Sequence, residues 1–109
     1  MAEKLIRDKI PDNARATTGE EMPIRFASEK EMIHKFLPAK LQEELQEALE
    51  AKELAKEEAE WGDFFEVLDT YFVRRGISVV RVHAAQGAKR TEKGSFDHGI
   101  IWTQTPEGE

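Results

Sequence analysis

Between residues 43 and 69 the chain places eleven carboxylates, Glu43, Glu44, Glu47, Glu50, Glu53, Glu57, Glu58, Glu60, Asp63, Glu66 and Asp69, against only Lys52 and Lys56. Acidic helices usually present such residues to solvent, so composition alone favours a solvated face. Position around the helix says more. At about 100° per residue, Leu41, Leu45, Ala48 and Leu49 form an apolar stripe, with Glu44 on its border and Glu47 next out. Further on, Trp61, Phe64, Phe65, Val67, Leu68, Tyr71 and Phe72 form a second apolar arc; Glu60 projects inside it and Asp63 sits at its edge. Glu43 and Glu50 point toward solvent on the same wheel. An ionised carboxylate on a buried face costs several kcal/mol unless a cation or hydrogen bonds compensate it, and no positive charge is expected nearby, since Lys52 and Lys56 fall in or near the turn between the helices. Packed antiparallel, the two helices bring Glu44 and Glu47 opposite Glu60 and Asp63 in an all-oxygen cage. Hard cations favour that donor set, whereas metals that prefer thiolate or imidazole find no Cys and only three dispersed histidines, His34, His83 and His98.

The elements that must position these groups follow from local signals. A single helix from Ala39 to Arg75 would run roughly 55 Å, more than a small domain can cover. The apolar periodicity lapses between about Ala51 and Glu57, which predicts a hairpin of two helices. Ser28 with Glu31 has capping-box spacing, so a short helix runs to about Leu37, and Pro38 sits where a new helix can begin. Gly76 marks a C-terminal stop and Ser78 a cap for a last helix through about Lys89. The segment from Leu5 to Ser28 lacks helical periodicity and reads as a short strand and a long loop; Gly94 to Trp102 reads as another short strand.

The 109 residues suit one domain, 1–109, and a domain this small gains stability from a partner subunit. Sixteen Lys and Arg against 22 Asp and Glu give a net charge of -6, which disfavours a nucleic-acid polymer or a membrane surface as partner. The absence of cysteine suits a cytoplasmic protein, and the charges in Met1 to Pro11 are unlike the apolar core of a signal peptide. No apolar run reaches membrane-spanning length.

Glu43-Glu44-Leu45-Gln46-Glu47 is an EExxE box and Glu60-Trp61-Gly62-Asp63 an ExxD box, and with their spacing the chain resembles the all-α NTP pyrophosphohydrolase superfamily. The opening Lys4-Leu5-Ile6-Arg7-Asp8-Lys9-Ile10-Pro11, and the closing Lys89, Lys93-Gly94-Ser95-Phe96 and Ile100 to Trp102, are similar to a MazG-like subgroup. The chain departs from that pattern at Ser95 and in the Trp61-Gly62 filling of the second box. The resemblance implies an all-α fold, with a helical hairpin core of about four helices and short terminal strands; because a hairpin leaves one apolar side uncovered, it is expected to assemble into a four-helix bundle as a homodimer or homotetramer. It also implies Mg²⁺, with Mn²⁺ as a substitute, held by Glu44, Glu47, Glu60 and Asp63, with Glu43 orienting water. The implied reaction is hydrolysis of a nucleoside triphosphate to the monophosphate and pyrophosphate, as in removal of non-standard nucleotides. Arg7, Lys9, Lys89 and Lys93 are the candidate cations for the departing pyrophosphate, and pairing of the terminal strands would bring them together. Two alternatives stay open: phosphoribosyl-ATP as substrate, and a non-enzymatic acidic helical module that docks a partner.

Overall fold

Ser28 starts the helical body. Its Oγ accepts the Glu31 backbone N–H at 3.1 Å while its own N–H donates to Glu31 Oε1 at 3.0 Å, so the capping box is complete. In the computed structural model, which describes residues 3–103, this cap opens a run of helix with three parts. An α-helical turn, α2 (Glu29–Glu31), passes into a π-helical turn (Met32–Phe36) and then into α3 (Leu37–Glu50). Leu37 N–H donates to Met32 O, five residues back. The widening falls just before Pro38, whose ring crowds the carbonyl four residues earlier and which returns no N–H. Pro38 therefore lies in the first turn of α3, and the chain passes into it from α2 without a break in the helix.

After α3, residues 51–53 turn the chain and α4 (Leu54–Arg75) packs back along α3, giving the expected hairpin. The end of α4 closes in a Schellman arrangement: Gly76, at φ 71°, donates to Val73 O at 3.2 Å, and Ile77 donates to Phe72 O at 2.9 Å. Positive φ makes glycine the least strained residue at that position.

Two expectations need correction. The segment from Leu5 to Ser28 is not a strand and a loop, because it holds a helix, α1 (Ile10–Thr18). Pro11 in the first turn, Asp12 near the positive end of the helix dipole and Gly19 at φ 78° are helix-boundary signals that the absence of an apolar stripe concealed. The second expected strand, Gly94 to Trp102, is also irregular, and no strand occurs among the described residues. A strand is stable only when a neighbour satisfies its backbone groups, and neither segment has one.

The chain divides into two compact units, Met1–Ile77 and Ser78–Glu109. In the second, Ser78 Oγ accepts the Arg81 N–H at 3.2 Å and α5 (Val79–Lys93) runs four residues past the expected stop at Lys89. Beyond it, a turn is closed by Gly99 N–H on Phe96 O at 3.2 Å.

The buried apolar residues are few: Met32, Phe36, Leu37 and Ala48. The aromatic arc of α4 is half-buried or exposed, Phe65 being 62% exposed, so the expectation that it forms a core is not met within one chain. A hairpin covers only one side of each helix. Trp61 is half-buried, stands edge-on to Phe64 at 5.6 Å between ring centroids, and donates Nε1–H to Glu57 at 3.0 Å. None of the described helices is long and apolar enough to cross a membrane.

Candidate metal centre

Glu44 is the one buried charged residue among those described, 7% exposed and facing α4 from the middle of α3. Its position follows from the heptad-like spacing with Leu37 and Ala48, which turns the Glu44 face of α3 inward. Glu47, one turn on, and Glu60, in the second turn of α4, complete a group in which one carboxylate oxygen from each lies within 4.8 Å of the others. Glu47 is exposed and Glu60 half-buried, so the group is open to solvent on one side and closed at Glu44. Oε2 of Glu44 is fully buried with no hydrogen-bond partner. A buried carboxylate oxygen left unmatched is costly, and here it belongs to a group of converging anions.

The electrostatics reflect this. Burial raises the Glu44 pKa above its ordinary value, with further upward pushes from Glu47, Asp63 and Glu43 and opposition from Lys40, whose Nζ stands 3.6 Å from Glu44 Oε1. Glu43 behaves oppositely. Burial pushes it upward, but hydrogen bonds from Lys4 and Lys40 outweigh that push and hold its carboxyl below the ordinary value. The Lys4 Nζ lies at 3.1 Å and the Lys40 Nζ at 3.3 Å from its oxygens, so Glu43 does not point freely to solvent but anchors two lysines beside the cluster.

Of the four expected ligands, three converge. Asp63 lies three residues beyond Glu60 on α4, but its Oδ1 is held by Arg7 at 2.7 Å and it is not one of the converging group. The expectation that no cation stands nearby is also corrected: Lys4, Arg7 and Lys40 border the carboxylates. Lys40 was legible, since it precedes Glu43 and Glu44 by three and four residues on one helix. Lys4 required the fold, which lays the N-terminal segment across α3. Of the other expected cations, Lys9 is exposed at the start of α1, and Lys89 and Lys93 are exposed on α5 in the second unit. His34, His83 and His98 are exposed, in keeping with a surface role.

The donor set suits a hard divalent cation. Three carboxylates from two helices, one of them buried with an unmatched oxygen, supply a partial all-oxygen donor set of the kind that hard divalent cations take. A thiolate-requiring metal is excluded by composition. Comparison with known proteins returned no matching family model, curated relative or solved structure.

Proposed function

We propose that the protein is a Mg²⁺-dependent nucleoside triphosphate pyrophosphohydrolase, hydrolysing between the α and β phosphates to a nucleoside monophosphate and pyrophosphate. The observation that carries this reading is the buried, unmatched Glu44 oxygen within a group of three convergent carboxylates. The paired acidic boxes and the opening motif, which resemble MazG-like pyrophosphohydrolases, supply the reaction class. A bound Mg²⁺, or Mn²⁺ in its place, would supply Lewis acidity toward phosphate oxygens and toward the attacking water.

The chain's own residues divide the remaining work. Glu44, Glu47 and Glu60 hold the ion. Glu43 positions Lys4, and Asp63 positions Arg7, so that two cations flank the carboxylates where phosphate charge must be neutralised. Asp63 thereby has a role beside the ion even where it is not a ligand. The uncovered apolar residues of the hairpin, Leu49, Leu54, Phe65 and Val73, are the surface on which a second copy packs to form a homodimer or homotetramer.

The test is a panel of nucleoside triphosphates, standard and damaged, with phosphoribosyl-ATP alongside, scored with Mg²⁺ for pyrophosphate against phosphate release. Pyrophosphate release that disappears on chelation is the expected result. Absence of turnover across the panel, together with no thermal stabilisation by Mg²⁺ and a non-hydrolysable triphosphate, would refute the enzyme reading.

A further inference from the structure

A cleft of about 580 Å³ opens between residues 3–8 and 22–27, with Met32 and Phe36 of the π-helical turn in its lining. We propose that this cleft receives the base and sugar of the nucleotide whose phosphates meet the carboxylate cluster; the inference rests on the pyrophosphohydrolase reading above. Three observations select that occupant.

The first is continuity. Lys4 and Arg7 line the cleft, and the same two side chains hold Glu43 and Asp63, so the cleft begins where the phosphate-facing cations end. A ligand with its triphosphate at the carboxylates has its organic end directed here. The second is chemistry. Met22, Ile24, Phe26 and Phe36 give apolar and aromatic walls, and Phe26, 89% exposed, offers a ring face that contributes almost nothing to the chain's own packing. Flat heteroaromatic bases stack on such faces, and the volume falls in the range of small-molecule sites. The third is rigidity. Arg25, also in the lining, is hydrogen-bonded to Glu3 at 2.6 and 2.8 Å and to Glu31 at 2.8 and 3.2 Å, and lies over the Phe36 ring at 5.7 Å. This lattice ties both walls to the capped helix start, so the cleft is formed before a ligand arrives. A π-helical turn in the lining is in keeping, since such turns recur at functional sites.

The test is amide NMR of the full chain with Mg²⁺, titrated with the α,β-methylene analogues of ATP and CTP and separately with inorganic tripolyphosphate. The nucleotide analogues should shift residues 22–27 in addition to the carboxylates, Lys4 and Arg7, while tripolyphosphate shifts the carboxylates, Lys4 and Arg7 and leaves residues 22–27 in place. Phe26→Ala should weaken nucleotide binding about tenfold and leave tripolyphosphate binding unchanged. Val80→Ala, an exposed apolar side chain of α5 in the second unit, should change neither. Identical shifts with all three ligands, with Phe26→Ala indifferent, would overturn the cleft assignment and leave the pyrophosphohydrolase reading standing. Shifts of the cleft on raising protein concentration alone would overturn it in favour of a second copy as occupant. No binding of any of the three with Mg²⁺ would remove the reading and the cleft assignment together.

Discussion

Two groups of acidic residues in the first unit have opposite fates. Around Arg25, Glu3 and Glu31 are each matched by a guanidinium, and Glu31 also completes the Ser28 capping box. Its carboxyl is pulled down to about 2, chiefly by the Arg25 hydrogen bonds and the Ser28 backbone N–H. Around Glu44, the carboxylates face one another and the most buried oxygen has no partner. The same residue type therefore stabilises the fold at one place and opposes it at the other. The proposed divalent ion is what would complete this mismatch from outside the chain.

The largest effects are expected at the carboxylates themselves. Glu44→Gln or Glu60→Gln should lower Mg²⁺-dependent pyrophosphate release by at least about 100-fold, since loss of a merely supporting residue at a metal site costs about 10–100-fold. Glu31→Gln should leave kcat near the wild-type value, because the Arg25 lattice bears on the organic end of the nucleotide and its loss is felt in KM, and an equal loss of kcat in all three would dissolve the distinction. Asp63→Asn comes next. By releasing Arg7 it should raise the KM for nucleotide a few-fold, a modest effect because both partners are about half exposed. If it instead matches Glu44→Gln in metal affinity, Asp63 is a ligand in its own right.

The pH dependence of stability sharpens the contrast in sign. Glu31 has a folded pKa below its ordinary 4.5, so its contribution is present above 4.5 and is lost as pH falls toward about 2. Glu44 has a folded pKa above 4.5, so its ionisation opposes folding at neutral pH, and that penalty disappears as pH falls below 4.5. In chelator, Glu44→Gln should therefore melt above wild type at pH 7, with the difference vanishing at pH 4. Glu31→Gln should melt below wild type at pH 7, with that difference shrinking toward pH 2. Parallel curves would contradict the opposite assignments.

Two smaller effects bear on the scaffold. Ser28→Ala removes one half of the capping box and should cost about 1 kcal/mol in urea unfolding without changing metal affinity. Gly62→Ala should stabilise by about 0.5–1 kcal/mol, because Gly62 is helical and a Cβ there meets nothing within 4 Å. Destabilisation by Gly62→Ala would mean that another copy of the chain approaches closely at that point.

The sequence carried the parts of this picture that depend on local rules. The Ser28 cap, the turn near residues 51–53, the Gly76 stop and the inward turn of Glu44 each follow from spacing within a few residues. What it concealed depends on contacts distant in sequence or on weak local signals. Lys4 and Arg7 reach the cluster across intervals of 39 and 56 residues, which no periodicity encodes. The α1 helix has end signals without an apolar stripe, and the π-helical turn needs knowledge of how Pro38 crowds a helix that continues through it. Asp63 is expected among the converging carboxylates but pairs with Arg7, a partner that the face of one helix does not reveal.

Whether the carboxylates hold a divalent ion is read by electron paramagnetic resonance titration of Mn²⁺ into wild type, Glu44→Gln and Glu31→Gln, each with the α,β-methylene ATP analogue present. Saturable Mn²⁺ binding in wild type and Glu31→Gln, weakened by at least about 100-fold in Glu44→Gln, is the predicted result. Equal binding in all three proteins, or none in wild type, would contradict it.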